Sequence, residues 1–414
     1  MNRRRVVITG LGAVTPLGFN IKDLWEGLLA GKSAGCLITK FDTTDYAGKV
    51  GAEVKGYEPE KYFSSKDLRY YDLSHQFALI AAREAVEDSG FRDKDYVPER
   101  AGSVVGTAHG GATQFCNQYE IMLKKGMRFI SPLAVQMMFS DMAPGLIGIE
   151  HDLKGPNYGT AAACASGTIA LGCAYTHIVK NEADIMVAGG ADTSLHHFSM
   201  AGFVRQKAVS TRNDDPATAS RPFDKDRDGF IVGEGAGLIV LEELEHARKR
   251  GAKIYAELAG YGSSCDAFHR NAPDPEGYGA SLAINAALED AGITPEQVDY
   301  INTHGTSTVL GDISETKAIK LSFKEHAYKV TNNSTKSMIG HMMGAAGAVE
   351  GIVTVLSAVN DVIHPTINFE TPDPDCDLDY SHNRTTEKKI NYAISNSMGF
   401  GGHNATICVK KFTG

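Results

Sequence analysis

Several things are missing from this sequence, and each absence counts against a class of protein. No stretch approaches the roughly 20 uninterrupted apolar residues of a membrane-spanning helix, and the longest apolar run, Gly344 to Val359, carries Glu350 in its middle. The opening MNRRRVVITGLG has the basic start of a signal peptide, but its apolar run is short and glycine-broken, with no small-residue cleavage site before Lys22 and Asp23. An excess of positive charge is also missing: 41 Lys and Arg stand against 50 Asp and Glu, a net −9, which lacks the bulk electrostatics of a nucleic-acid binder. The seven cysteines (Cys36, Cys116, Cys164, Cys173, Cys265, Cys376, Cys408) are odd in number, scattered and free of any C-x-x-C pair. That pattern disfavours disulfide scaffolds and zinc ribbons and suits a reducing cytoplasm. Low-complexity tracts and long charge blocks are absent as well, and 43% apolar with 22% charged residues is a globular composition.

What is present is length and glycine. At 414 residues the chain has room for two or three domains, and 44 glycines imply many tight turns and close backbone approaches. Apolar runs rich in β-branched or small residues recur: Val6–Thr9, Gly102–Gly106, Ile185–Gly190, Gly237–Leu241, Ile254–Gly260, Tyr300–Thr303, Tyr392–Ser395 and Thr406–Lys410. Helical patterns alternate with them at Ser74–Ser89, Tyr278–Ala291 and Ala345–Val359. Such alternation predicts an α/β protein with a parallel or mixed sheet under helical layers. The charged stretch Glu242–Lys253 is the best seam, and after it a second strand–loop–helix series begins, so two fused halves are placed at 1–252 and 253–414.

Two glycine motifs invite nucleotide readings that do not hold. Gly10-Leu-Gly12 follows a strand, expected from Arg5 to Thr9 and entering a glycine turn, but lacks the third small residue of a dinucleotide fingerprint. In GLLAGKS, Gly27 stands one residue too close to Gly31-Lys32 for a phosphate loop, which leaves a helix C-cap.

The chemistry gathers elsewhere. Cys164 lies in GTAAACASGTIALG, between small residues and an apolar helical run. This context predicts a strained strand-to-helix turn at the positive end of a helix, a setting that favours thiolate and leaves backbone N–H groups free for an oxyanion. The bland alternative is a buried small hydrophobe. Three histidines share the address of reactive groups in α/β sheets, a strand end meeting a glycine turn: His304 in NTHGTST, His341 in STKSMIGHMMG and His403 in GFGGHN. Local context does not rank them.

These stretches also carry a resemblance that runs nearly end to end. VVITGLGAVTPLG (Val6–Gly18), ACASG around Cys164, STRNDDP (Ser210–Pro216), ASRPFDKDRDGFIVGEGAG (Ala219–Gly237), THGTST around His304, STKSMIGHMMGAAGAVE (Ser334–Glu350) and NSMGFGGHN (Asn396–Asn404) resemble the β-ketoacyl-acyl carrier protein synthases of the thiolase fold, most closely the type II elongating enzymes of fatty-acid synthesis. The resemblance implies two thiolase-like halves with layered helices and mixed sheets. It implies Cys164 as the acyl-accepting nucleophile, His304 and His341 as the pair assisting malonyl decarboxylation, and Lys336 as their organiser with Glu350 its ionic partner. Thr306 and Thr308 match threonines that bind the pantetheine arm. Phe400 matches a gating aromatic whose backbone N–H shares the oxyanion hole with that of Cys164, and His403 matches a framework position. No metal and no cofactor are implied.

Related families differ by single residues. Thiolases place a second cysteine in the C-terminal glycine loop, which here reads GFGGHN; initiating synthases generally pair Cys with His and Asn, whereas His341 makes this chain Cys-His-His; chain-length factors lack the cysteine. The alternative that shares every motif is a ketosynthase of a type II polyketide or polyene pathway. One departure favours it: His109, in GTAHGGAT, stands where elongating enzymes usually carry an apolar residue facing the acyl tunnel. An unpaired imidazole buried there is costly, so it marks either a pocket for a shorter, unsaturated or oxygenated chain or a hydrogen-bonded residue at a dimer interface. Met127, Met137, Met138 and Met142 are candidates to line an adaptable tunnel. The implied partner is an acidic acyl carrier protein, met by Lys66, Arg69, Arg128 and Lys207. The implied assembly is a homodimer, or a heterodimer with a chain-length factor in the polyketide case.

Overall fold

The computed structural model describes residues 3–93 and 96–414. Ten strands form one mixed sheet in the spatial order Thr331–Asn333, Tyr300–Asn302, Tyr392–Gly399, His403–Lys411, Ala256–Cys265, Val6–Val14, Gly235–Glu243, Ile185–Asp192, Ala101–Gly106 and Asn157–Thr160. The central strand, Val6–Val14, is buried at every position, as expected of a strand covered on both faces. It pairs antiparallel with Gly235–Glu243 on one side and with Ala256–Cys265 on the other, so the first strand of the chain bridges its earlier and later segments.

That strand corrects one expectation. It does not end at Thr9 in a glycine turn but continues to Val14, with a register shift between Ile8 and Gly10. The reason is the helix Leu73–Ser89 lying directly on it. A Cβ on Gly10 would come within 2.0 Å of the Ala85 carbonyl, and one on Gly12 within 2.0 Å of that of Ala81. These glycines serve close approach, not turning. Gly12→Ala is therefore expected to destabilise the fold by about 1–3 kcal/mol through overpacking, read as a lowered Tm; an unchanged Tm would show that the helix is not seated this way. The other motif behaves as expected: Gly31 (φ +64°) follows the helix Ile21–Leu29 and its cap Ala30, where a left-handed residue closes a helix.

The predicted helices appear at Leu73–Ser89, Tyr278–Ala291 and Ala346–Asn360. The first starts at Asp72, whose carboxylate accepts the Ser74 N–H, and stops at left-handed Gly90. The last is buried almost all round, which explains its lack of a polar stripe. The membrane-length stretch Met343–Asn360 is 89% buried inside the molecule, as a core helix.

The sheet decides where chemistry can sit. Tyr300–Asn302 runs parallel to both Thr331–Asn333 and Tyr392–Gly399, so their carboxyl ends deliver the loops of His304, Lys336 and Phe400 to one edge. Across the molecule, Asn157–Thr160 and Ile185–Asp192 run parallel to Ala101–Gly106, and Asn157–Thr160 feeds the loop that holds Cys164. Carboxyl ends of parallel strands are where α/β sheets keep their ligand sites.

Candidate active site

Cys164 sits between left-handed Ala163 (φ +48°) and Ala165, the N-cap of the helix Ser166–Val179. Ser166 Oγ fixes this turn by accepting the Ala162 N–H at 2.8 Å and donating to the Ala163 carbonyl at 2.6 Å. The same hydroxyl lies 3.1 Å from the Thr107 carbonyl, tying the turn to the neighbouring loop. The strained strand-to-helix geometry is as the sequence predicts. The ionisation is not. Burial pushes the Cys164 thiol up to about 12; Lys336 and the backbone N–H groups of Phe400 and Cys164 pull it down, Asp192 adds to the rise, and burial wins. The group is a buried thiol, not a resting thiolate. Gly399 permits the approach of the Phe400 loop, since a Cβ there would lie 2.7 Å from the Ala162 carbonyl.

The rings of His304 and His341 face each other edge-on, 5.4 Å between centroids. Both titrate well below the usual histidine range, because burial disfavours the charged ring and Lys336 repels it. Both are therefore neutral, and their hydrogen bonds fix the tautomers. His341 Nδ1 accepts the Met343 N–H at 3.3 Å, and His304 Nδ1 lies 3.3 Å from Lys336 Nζ. With each Nδ1 accepting, each Nε2 carries the proton and is a donor. Lys336 also donates to the His304 carbonyl at 2.6 Å and to Glu350 Oε1. Lysine and glutamate are each 1% exposed, and burial lifts Glu350 to about 7 against the pull of Lys336.

Two residues escaped the sequence reading. Glu315 accepts the backbone N–H of His304 at 2.8 Å and of Gly305 at 2.7 Å, cradling the histidine loop from the helix Val309–Phe323. Burial raises its carboxyl to about 7, opposed by those two N–H groups. The available signal was an Asp312-x-x-Glu315 spacing that puts two acids on the buried face of that helix. Asp266 latches the glycine loop: its N–H donates to the Gly402 carbonyl at 2.9 Å, and its carboxylate accepts Asn404 Nδ2 at 2.6 Å. No local signal marks it.

One cavity of 390 Å³ is lined by residues from before and after the charged stretch Glu242–Lys253. Cys164, His304, His341, Thr306, Thr308 and Phe400 all line it, with the two threonine hydroxyls 3.0 Å apart. Lys207 stands at its mouth, whereas Lys66, Arg69 and Arg128 do not line it. Lys66 caps the short turn Asp67–Arg69, which Arg69 ends, and the Arg128 guanidinium lies over the Phe129 ring at 4.7 Å. His403 is exposed at the start of its strand and outside the cavity. His109 and the four methionines (Met127, Met137, Met138, Met142) are also outside it. His109 Nδ1 lies 2.6 Å from Ser194 Oγ and 3.7 Å from Asp192 Oδ1, so its imidazole is paired.

A thiol and two neutral imidazoles, delivered from opposite ends of one sheet to a shared channel, is the architecture of the thiolase-like condensing enzymes. Residues 3–247 match the model of the Beta-ketoacyl synthase, N-terminal domain, and residues 255–370 that of the Beta-ketoacyl synthase, C-terminal domain. The chain belongs to the β-ketoacyl synthase family. Within it, this chain is similar along its whole length to proteins named 3-oxoacyl-[acyl-carrier-protein] synthase 2. Identity is 45% to that of Synechocystis (100% of this chain, 99% of the relative), 47% to that of Coxiella burnetii and 46% to that of Staphylococcus aureus (99% and 99% in each). Among solved structures, a type II polyketide ketosynthase in complex with its acyl-carrier protein superposes with a TM-score of 0.93 at 34% identity, covering 100% of both chains. The ishigamide ketosynthase/chain length factor gives 0.93 at 36% identity, over 99% of this chain and 100% of the other.

Proposed function

We propose that this chain condenses a Cys164-bound acyl group with malonyl-acyl carrier protein, lengthening it by two carbons in fatty-acid biosynthesis. The observation that carries the reading is the pair of neutral imidazoles, each with Nε2–H as its free donor, beside a thiol in one cavity. In the loading step the thiol attacks the carrier thioester; the acyl carbon–sulfur bond to the carrier breaks, the bond to Cys164 Sγ forms, and the thiol proton ends on the departing carrier thiol. Because the resting group is a thiol, its proton leaves as that bond forms. Malonyl carrier protein then loses carbon dioxide, and the electron pair left behind becomes an enolate whose oxygen is met by the two Nε2–H donors. The enolate carbon attacks the Cys164 thioester, and the N–H groups of Cys164 and Phe400 receive the tetrahedral oxyanion. Collapse releases 3-oxoacyl carrier protein, and one proton restores the thiol. Lys336 holds His304 in the donating tautomer, and Thr306 and Thr308 receive the pantetheine arm. Neither metal nor cofactor enters these steps.

The second reading, a ketosynthase of a type II polyketide or polyene pathway, is favoured by one observation: the likeness along the whole chain to the polyketide ketosynthase solved with its acyl-carrier protein and to the ishigamide ketosynthase. Supplying malonyl carrier protein with a panel of acyl primers and weighing the carrier-bound products separates the two. Elongated saturated chains support the fatty-acid reading, and products only from unsaturated or oxygenated primers overturn it.

The carrier protein is expected to dock at the mouth through Lys207, with Lys66, Arg69 and Arg128 as further contacts. Charge reversal at Lys207, Lys66 or Arg69 should raise KM for the carrier substrate, leave turnover of a small thioester mimic unchanged, and weaken as salt shortens the Debye length below about 8 Å. A salt-independent defect would contradict docking. A homodimer is supported by the strand Asn157–Thr160 at the edge of the sheet among the described residues, and by exposed Phe115, Tyr119, Leu123 and Phe129 on and just after the helix Ala112–Lys125. A chain-length factor takes the partner's place in the polyketide reading. The division into halves at 252 and 253 and a cytoplasmic location complete the proposal.

A further inference from the structure

Asp192 ends the strand Ile185–Asp192 and is completely buried. It accepts the Ala108 N–H at 2.7 Å, the His109 N–H at 3.3 Å, the Thr107 hydroxyl at 3.2 Å and the Ser194 hydroxyl. It therefore holds the loop Thr107–His109, and that loop is tied to the nucleophile turn through Ser166 at the Thr107 carbonyl. Ala108 and Cys164 pack in one apolar cluster with Phe203 and Met343. A buried carboxylate on the loop tied to the nucleophile turn opposes thiolate formation at the buried Cys164 thiol.

No lysine or arginine pairs with Asp192 among the described residues; its cationic partner is His109. The Ser194 hydrogen points to Asp192, so Ser194 Oγ accepts from His109 Nδ1–H, forming a relay from imidazole through hydroxyl to carboxylate. Burial disfavours the charged ring, but Asp192 outweighs it, and His109 titrates above the usual histidine value. The groups facing the pair come from four elements. They are Phe203, edge-on to the imidazole from the helix His197–Arg205, Ser194 beyond the strand, Thr107 on the loop, and Cys164 on the nucleophile turn, whose thiol Lys336 pulls down.

We propose that His109 is a positioning residue for acyl loading: its imidazole pairs with Asp192, directly and through Ser194, and so holds the loop tied to the nucleophile turn in the setting that keeps Cys164 reactive toward the carrier thioester. The proposal rests on Cys164 as the acyl acceptor and adds what tunes it. Loss of the positive charge bares Asp192 and raises the thiol further, slowing attack on the carrier thioester. Malonyl decarboxylation, which the histidine pair serves, is left nearly untouched.

The test is the rate at which iodoacetamide labels Cys164, followed by peptide mapping across a pH series, in the full chain and its variants. Below the titration of His109, His109→Gln is expected to label about tenfold more slowly than the wild type, the size of one pKa unit. His109→Lys should stay near the wild-type rate, and removing both charges in His109→Gln/Asp192→Asn should restore it. The wild-type advantage should shrink as pH rises and His109 loses its proton. Equal rates for His109→Gln and wild type at all pH values would overturn the proposal, as would a deficit that ignores pH or is shared by His109→Lys, since either marks a packing defect. Iodoacetamide reports ionisation whether or not Cys164 accepts the acyl group. A parallel incubation with acyl-loaded carrier protein separates the two claims: label on a different cysteine would sink the acceptor assignment while the ionisation data still stand or fall alone.

Discussion

Alanine at position 164 is expected to abolish condensation, with a loss on the order of 10⁴-fold or more, as removal of a covalent nucleophile does. Cys164 is the cysteine in the cavity shared with both histidines, and no other thiol lines that cavity. The smaller side chain fits the same turn, because the left-handed strain belongs to Ala163 and the anchoring hydrogen bonds to Ser166. The variant should therefore fold with an unchanged Tm and still decarboxylate malonyl carrier protein. Condensation surviving in Cys164→Ala at more than trace level would require a different acceptor.

The second large effect separates the two half-reactions. His304→Ala or His341→Ala should lower malonyl decarboxylation on the order of a hundredfold or more, the cost of losing one donor to a developing oxyanion in a dry site. Acyl transfer to Cys164 should survive far better, because the oxyanion donors proposed for that step are the backbone N–H groups of Cys164 and Phe400, which lie against the thiol and not on either imidazole. The pH dependence adds a sign. Both rings titrate well below the ordinary histidine value, so they stay neutral donors as pH falls through 6.5, the usual histidine value. Decarboxylation should hold across that range and fail only in stronger acid. Equal loss of both half-reactions in the alanine variants, or a fall in decarboxylation centred on ordinary histidine titration, would contradict these roles.

Much of this site was legible in the sequence because its signals are local. A cysteine between small residues and an apolar helix start, and His304 after a short β run, each point to a strand end, and the sheet brings them together; His341, expected at a strand end too, instead follows the short helix Lys336–Ile339 and reaches the same cavity from there. What stayed hidden depends on neighbours far apart in the chain. The glycines Gly10 and Gly12 look like a turn until the helix carrying Ala81 and Ala85 is laid across them. The thiolate expected from a helix start gives way to a thiol because burial outweighs Lys336 and the backbone N–H groups of Phe400 and Cys164. Glu315 and Asp266 act on backbone N–H groups and a distant asparagine, partners that no residue pattern announces. His109 was visible as an oddity, but its meaning needed Asp192, which lies more than eighty positions away.

The central claim is that one buried thiol takes the acyl chain and hands it to a carbanion made beside it. The direct measurement is to incubate the protein with acyl-loaded carrier protein alone, digest it, and locate the thioester by mass. The account predicts a single acylated peptide carrying Cys164, and its discharge as 3-oxoacyl carrier protein when malonyl carrier protein is added. Label on Cys173 or Cys265, or a Cys164 thioester that malonyl carrier protein does not discharge, would contradict it.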